Sequence, residues 1–197
     1  MIYNIVKTCV ARFFKIAFLM KVDGSENVPQ EGGLLLCSNH QSNWDPPAVS
    51  GAFPRRLSIM AKEELFHNPI FGWMIKTLGA YPIRRGKGDA GAILATLKLL
   101  EAGETTLVFP EGTRVQAGGG DRKINSGIIR IAIKAQVPIV PAYTNGKYRL
   151  FGKLRVYFGK PISYEQYYDN APDAETLDRL AQELMEAIYS FSEEKKA

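Results

Sequence analysis

A histidine and an aspartate lie five residues apart in the polar segment 39–45 (NHQSNWD). An imidazole takes up a proton near neutral pH, and a carboxylate across a tight loop can bind its far ring nitrogen. Such a carboxylate would fix the tautomer of the ring and stabilise the imidazolium that forms. The spacing is equally compatible with a structural loop histidine at His40 and a helix N-cap at Asp45.

No nucleophile of the enzyme itself is evident beside this pair. The chain contains no G-x-S-x-G turn that would expose a hydrolase serine. Ser38 and Ser42 lie close to His40, and so does Cys37, which ends a short apolar run and is expected to face the core. The simpler interpretation is that His40 activates the hydroxyl of a substrate directly.

The segment 109–114 (FPEGTR) follows a strongly β-prone run and carries groups suited to a phosphate and a hydroxyl. Gly112 allows an unusual turn that exposes backbone N–H groups. Arg114 offers a planar fork for phosphate, and Glu111 can accept a hydrogen bond. Taken alone, the segment is also compatible with a surface turn that carries a solvated ion pair.

Basic residues follow two other apolar runs. The segment 79–85 (GAYPIRR) ends in Arg84 and Arg85, and Lys62 follows the run around residues 57–60. Each residue alone would be an ordinary surface charge. Basic groups after three strands, beside the histidine loop, together predict a cradle for an anion.

Short apolar runs alternate with amphipathic segments along the chain. The predicted strands cover residues 34–37, 57–60, 81–83, 105–109, 137–143 and 154–158. One predicted helix begins near Ala48. The other predicted helices cover residues 69–78, 89–100, 126–136 and 175–191. The predicted fold class is α/β, a single domain with a mixed, largely parallel sheet flanked by helices. Ligands gather at the carboxyl ends of such strands, which places the loops after Cys37, Ile83 and Phe109 at the site.

The first 20 residues are apolar but are interrupted by Lys7, Arg12 and Lys15. No apolar run reaches the roughly 20 residues that would span a bilayer. A helix here would be amphipathic, with these bases on one side and a wide apolar face on the other. We therefore predict that residues 1–23 are a membrane-interface segment on an anionic surface, and that 24–197 form the main domain. The alternative is a first helix packed on the protein's own core.

Composition excludes several classes of function. A chain of 197 residues with 46% hydrophobic residues is expected to form one domain with its own core. The net charge of +5 is too small and too dispersed to predict nucleic-acid binding. The two cysteines and two histidines form no C-x-x-C pattern, so no metal site is predicted. The absence of a disulfide framework favours a reducing compartment.

Four segments occur in an order that resembles the glycerolipid acyltransferases, in particular the 1-acylglycerol-3-phosphate (lysophosphatidate) acyltransferase family. They are residues 40–45 (H-x4-D), 79–85, 109–114 and 137–141 (VPIVP), and the resemblance spans about residues 30–145. It implies an acyl donor thioester, acyl-CoA or acyl carrier protein, and lysophosphatidate as the acceptor, with no cofactor. It also implies that 24–197 form the acyltransferase domain, attached peripherally to the cytoplasmic face of the cell membrane.

The resemblance also implies roles for individual residues. His40 would be the general base, Asp45 would orient it, and Glu111 would contact the glycerol portion of the acceptor. Lys62, Arg85 and Arg114 would hold the acceptor's phosphate. Gly112 and Thr113 would shape the loop that carries Arg114. The second motif of the family usually ends Phe-Ile-Asp-Arg where this chain has 82–85 (PIRR), and Asn125 stands where a lysine is often found.

These departures leave the acceptor head group open, with glycerol-3-phosphate or another lysolipid as alternatives. A peripheral lipid-binding module without catalysis is the remaining alternative.

Replacing Arg85 or Arg114 is expected mainly to raise the apparent KM for the acceptor. Phosphate binding is largely common to the ground state and the transition state, so its loss weakens binding more than it slows the chemical step. Steady-state kinetics with varied acceptor would measure the effect. A fall in kcat at unchanged KM would contradict the phosphate-binding role.

Overall fold

The computed structural model describes residues 2–83, 90–114 and 125–193 of the chain. Within them, one sheet contains the strands β1 (Lys21–Asp23), β2 (Leu34–Ser38), β3 (Ser58–Lys62), β4 (Ala80–Ile83), β5 (Thr105–Val108), β6 (Ile139–Thr144) and β7 (Arg155–Phe158). The helices are α1 (Ile2–Ala17), α2 (Asp45–Ala52), α3 (Pro69–Thr77), α4 (Ala90–Glu101), α5 (Gly127–Ala135) and α6 (Ala174–Glu193).

The strand order is β1-β7-β6-β2-β5-β3-β4. All neighbouring strands pair in parallel except β6 and β7, which are antiparallel. The central strand β2 therefore has β5 on one side and β6 on the other, and the carboxyl ends of all three meet at one edge. The α/β class with a largely parallel sheet is confirmed.

Strand β2 is buried on both faces because helices cover both sides of the sheet. Leu34 and Leu36 pack in the core beneath α1 and α2, whereas Leu35 and Cys37 pack in the core beneath α4, α5 and α6. This alternation follows from the two-residue period of a strand. It also explains why the sequence of β2 is an uninterrupted apolar run.

Two elements differ from the sequence-based expectation. Strand β1 was not predicted, since its three residues (KVD) contain no apolar run. Helix α2 begins at Asp45 rather than near Ala48. Pro46 and Pro47 fill its first turn, where the missing N–H groups of proline have no helical partner to lose, so the prolines lie inside the helix rather than before it.

Helix α1 packs on the protein's own core along one side and is exposed along the other. Phe14 is buried, and with Phe18 and Met20 it belongs to the core under α2. The side turned away from the core exposes an apolar stripe of residues 2, 5, 9, 13 and 16, which fall on one side at about 100° per residue. The division of the chain at residue 23 stays a prediction, and this helix is integral to the fold.

Lys7 does not lie on the outer surface of α1 with the other bases. Its amine donates to the carbonyl oxygen of Arg55 at 2.8 Å. Burial lowers the pKa of Lys7 because the charged form loses water. The expectation that all three bases of α1 lie together on its outer surface is therefore wrong for Lys7, whereas Arg12 and Lys15 are exposed. Contact of these two bases with a membrane stays a prediction. No helix in the described part of the chain combines the length and the apolar character needed to cross a bilayer.

Gly79 joins α3 to β4 in a conformation that only glycine fits. Its φ is +88°, and a Cβ there would lie 2.4 Å from the carbonyl oxygen of Leu57. Gly103, which follows α4, also has a positive φ, of +79°, but a Cβ there would meet nothing within 4 Å. Alanine at Gly103 would add backbone strain alone, whereas alanine at Gly79 would add the same strain and a steric overlap with Leu57.

We expect Gly79→Ala to destabilise the protein more than Gly103→Ala. Both substitutions impose a left-handed conformation on alanine, worth roughly 1 kcal/mol, and overlap with a backbone atom adds about 1–3 kcal/mol at residue 79 alone. Thermal unfolding of the two variants beside the parent protein would measure the difference. Equal losses of stability would show that the close approach at Leu57 contributes nothing.

Candidate active site

Asp45 is a fully buried carboxylate at the carboxyl edge of the sheet. It occupies the first turn of α2, where the partial positive charge of a helix N-terminus favours an anion. Burial of an isolated carboxylate is costly, so its oxygens require several donors. The surrounding loops supply them.

One carboxylate oxygen of Asp45 binds the histidine loop. Its Oδ2 accepts the backbone N–H groups of Gln41 at 2.6 Å and Ser42 at 2.7 Å. The same atom lies 3.0 Å from Nδ1 of His40. Because an ionised carboxylate only accepts hydrogen bonds, Nδ1 carries the ring proton and Nε2 keeps its lone pair.

The other oxygen binds the end of β6 and the loop that follows it. Asp45 Oδ1 accepts the hydroxyl of Thr144 at 3.0 Å and that of Tyr148 at 2.5 Å. Burial and the neighbouring Asp45 raise the pKa of Tyr148 well above its ordinary value, so the phenol remains a neutral donor. The carboxylate therefore accepts from five donors, which lie on the histidine loop, the end of β6 and the loop after it.

The His40 ring is held in place and remains accessible. It stacks on Phe109 with ring centroids 4.1 Å apart and an interplanar angle of 21°. Its side chain is 15% exposed, against 0% for Asp45. The imidazole is thus oriented by the buried acid on one side and by Phe109 on its face. This arrangement suits a general base with its free nitrogen toward a ligand.

Glu111 joins the histidine loop to the FPEGTR loop. It is only 6% exposed, and its Oε2 accepts the backbone N–H of His40 at 3.0 Å. Its Oε1 accepts the hydroxyl of Tyr189 on α6. Glu111 is therefore a buried link between three elements rather than part of a solvated surface ion pair, and contact with an acceptor's glycerol portion stays a prediction.

Asn39 fixes the ends of the two central strands against each other. It is fully buried; its side-chain amide donates to the carbonyl of Thr144 at 2.9 Å, and its side-chain oxygen accepts from the N–H of Thr144 at 2.7 Å. Through these two bonds, the side chain of Asn39 continues the hydrogen bonding between β2 and β6 beyond the last paired residue of β2, Ser38. They hold Thr144 where its hydroxyl reaches Asp45.

The structure brings the His40 and FPEGTR loops together, as predicted from the strand ends. Gly112 has a φ of +64°, and its N–H donates to the carbonyl of Phe109 at 3.0 Å. Thr113 and Arg114 are exposed in the same loop. Lys62 ends β3 at the same edge of the sheet. The side chain of Lys62 and all of residues 84–89, with Arg84 and Arg85, lie outside the described residues.

Cys37 faces the core, as expected from its apolar run. It is fully buried, and burial raises the pKa of its thiol above the ordinary value. A protonated, inaccessible thiol is a poor nucleophile. Among the described residues, no group of three or more His, Cys, Asp or Glu side chains is arranged to hold a metal ion.

Sequence reasoning missed three hydroxyl donors. Thr144 directly follows the predicted strand 137–143, so the rule of strand ends could have identified it. Tyr148 and Tyr189 are separated from their carboxylates by 103 and 78 residues. Nothing in their local sequence marks them, because their position depends on the path of the β6–β7 loop and on the packing of α6.

Comparisons with known proteins give matches over most of the chain. Residues 19–145 match the family model described as Acyltransferase. The chain is 31% identical over 176 residues to the 1-acyl-sn-glycerol-3-phosphate acyltransferase of Bacillus subtilis, covering 86% of each chain. It is 30% identical over 180 residues to the enzyme of that name from Streptococcus pneumoniae, covering 87% of this chain and 66% of the relative.

A solved structure matches almost the whole chain. It is the 1-acyl-sn-glycerophosphate (LPA) acyltransferase PlsC from Thermotoga maritima, with a TM-score of 0.73 and 26% sequence identity. The match covers 99% of this chain and 80% of the other.

Tyr148→Phe is expected to lower the free energy of unfolding by about 1.5–3 kcal/mol at neutral pH, the range for a lost hydrogen bond to a charged group. Tyr168→Phe, at a partly exposed tyrosine outside this site, is the matched control.

Because folding raises the pKa of Tyr148, the stabilisation is complete below the ordinary tyrosine pKa of 10.0 and is lost as the pH rises further. Denaturant unfolding at a series of pH values should show the gap between parent and Tyr148→Phe narrowing above that pH. A gap that widens there would contradict the hydrogen bond to Asp45.

Proposed function

The chain belongs to the acyltransferase family, and we propose that it transfers a fatty acyl group from a thioester to the free hydroxyl of 1-acylglycerol-3-phosphate. The product would be phosphatidate, an intermediate of phospholipid biosynthesis. The observation that carries the proposal is the accessible His40 ring bonded through Nδ1 to the buried Asp45 at 3.0 Å. The names of the relatives support lysophosphatidate as the acceptor.

In the proposed reaction, Nε2 of His40 accepts the proton of the acceptor hydroxyl as its oxygen attacks the thioester carbonyl. The ring becomes an imidazolium, which Asp45 stabilises through the Nδ1–H bond. The C–S bond then breaks, the new ester C–O bond remains, and the proton on Nε2 passes to the departing sulfur. The products are the ester and a free thiol, and His40 returns to its neutral form.

No covalent acyl-enzyme is part of this scheme. The exclusion of Cys37 from the site supports direct attack, because its thiol is buried and its raised pKa keeps it protonated. Both substrates would then bind before any product leaves. The kinetics would be sequential rather than ping-pong.

The acceptor's phosphate would be held by basic residues at the carboxyl edge. Arg114 is exposed in the loop that Glu111 ties to His40. Lys62 at the end of β3 and Arg85 after β4 complete the proposed phosphate site, with Gly112 and Thr113 shaping the loop. The proposed donor is acyl-CoA or acyl carrier protein, and no further cofactor is required.

Peripheral attachment to an anionic membrane is also part of the proposal. The exposed apolar stripe of α1, with Arg12 and Lys15 beside it, has the character of a helix lying in a lipid interface. Attachment at the cytoplasmic face is supported by the two free cysteines, which suit a reducing compartment.

We expect His40→Ala to lower kcat by about 10²- to 10⁴-fold, the usual contribution of a positioned general base. His67→Ala, at the only other histidine of the chain, is the matched control and should keep full activity. The assay is incubation with lysophosphatidate and each thioester in turn, following phosphatidate and free thiol. Equal activity of the two variants would contradict the role of His40.

The doubly substituted Cys9→Ala/Cys37→Ala protein tests direct attack without any protein thiol. It should retain transfer, and it also removes the protein's own background from a thiol assay. Loss of transfer in this variant while it remains folded would favour an acyl-cysteine intermediate.

Competing acceptors define the reaction further. Faster transfer to glycerol-3-phosphate or another lysolipid would replace the proposed acceptor. Vesicle binding without thiol release from any donor would instead favour a lipid-binding module without catalysis.

A further inference from the structure

The loop between β6 and β7, residues 145–154, forms one wall of an open pocket beside the histidine loop. The pocket has a volume of about 510 Å³. Its opposite wall consists of Gln41, Ser42 and Trp44 from the segment that carries the His40–Asp45 pair. Whatever covers this loop therefore also borders the active site.

Two large apolar side chains project from the tip of this loop. Leu150 is 67% exposed and Phe151 is 60% exposed. The tip is tied to the body, because the N–H of Phe151 donates to the carbonyl of Ala17 at 2.8 Å. A further bond, from the N–H of Gly152 to the carbonyl of Arg149 at 2.8 Å, closes the turn. The two side chains are thus presented to the outside by an ordered turn.

The loop is strongly basic around this apolar tip. The loop and the first residue of β7, residues 145–155, contain four lysines and arginines and no acidic residue. Three of these bases, Lys147, Arg149 and Lys153, are exposed. A fourth, Arg155, lies 3.6 Å from the carboxylate of Asp23 and is engaged within the fold. An apolar tip surrounded by exposed bases is complementary to an anionic lipid interface.

The tip is continuous with the exposed apolar stripe of α1. Phe151 is bonded to the last residue of that helix, near which Ile16 and Leu19 are exposed. Trp44, also exposed, places its ring 6.2 Å from that of Phe13 on the same stripe. The helix, the tip and the mouth of the pocket therefore form one apolar surface bordered by positive charge.

We propose that the β6–β7 loop is a second membrane-contact element, which inserts Leu150 and Phe151 into the interface of an anionic bilayer. Lys147, Arg149 and Lys153 bind the lipid headgroups around the insertion. The pocket beside the histidine loop then opens at the lipid surface. The identification of the occupant as a lipid bilayer rests on the proposed function, since it assumes that the acceptor is a membrane lipid.

Vesicle flotation of the full chain tests this proposal with Leu150→Gln/Phe151→Asn. Asparagine suits the left-handed backbone of residue 151, whose φ is +57°, so the fold is preserved. The matched control is Ile93→Gln/Leu94→Gln, an exposed apolar pair on α4, which covers the other side of the sheet. The vesicles contain either equimolar phosphatidylglycerol and phosphatidylcholine or phosphatidylcholine alone.

The loop variant should bind the anionic vesicles at least about tenfold more weakly than the parent, because two large apolar side chains no longer enter the interface. The control variant should bind like the parent. Lys147→Gln/Arg149→Gln/Lys153→Gln should reduce the preference for anionic over neutral vesicles. Unchanged binding of the loop variant, or an equal loss in the α4 control, would overturn the proposal.

Acyl transfer to a short-chain, water-soluble lysophosphatidate separates this proposal from the proposed function. The loop variant should retain the parent rate with both donors, since Leu150 and Phe151 take no part in the chemistry. If the loop variant instead floats like the parent and loses transfer only from acyl carrier protein, the loop docks that donor and the proposed membrane contact is overturned. If the parent protein floats with anionic vesicles but transfers no acyl group from either donor, the proposed function is contradicted. The membrane contact of the loop is then still supported by the flotation of the parent and of its variants.

Discussion

The geometry of the site depends on one buried carboxylate that must satisfy its charge within the protein. Asp45 has no contact with water, so its two oxygens draw five donors from the histidine loop, the end of β6 and the loop beyond it. A charge in such surroundings is stable only while all its partners stay in place. The demand for donors therefore fixes the orientation of His40 more firmly than any contact of the imidazole itself.

The order of the strands makes this convergence possible. Because β2 lies between β5 and β6, the loops that carry His40 and Glu111 leave the sheet side by side, and Thr144 leaves on the other side. Glu111 resembles Asp45 in two respects, because its carboxylate is also buried and also accepts a backbone N–H of the histidine loop. Two buried acids, each bonded to a tyrosine from a distant part of the chain, hold one short loop.

The sequence predicted the parts of this arrangement that local patterns determine. The buried run at residues 34–37, the segments 40–45 and 109–114, and the alternation of strands and helices were sufficient for the fold class and the family. The start of α2 was misplaced because prolines that open a helix resemble prolines that precede one. Tyr148 could not be predicted, since its contact with Asp45 depends on a loop whose path is set by α1 and the turn at Phe151.

The aromatic packing between α1 and Tyr148 has a practical consequence for protein engineering. The rings of Phe14 and Phe18 lie 6.4 and 6.1 Å from the ring of Tyr148, whose hydroxyl holds Asp45. Trimming the N-terminus to obtain a more soluble product would therefore remove the scaffold behind the acid and disable the enzyme. A designer should instead retain the helix, and making its outward residues such as Ile5 and Ile16 hydrophilic would keep this packing while removing the apolar face proposed to contact the membrane.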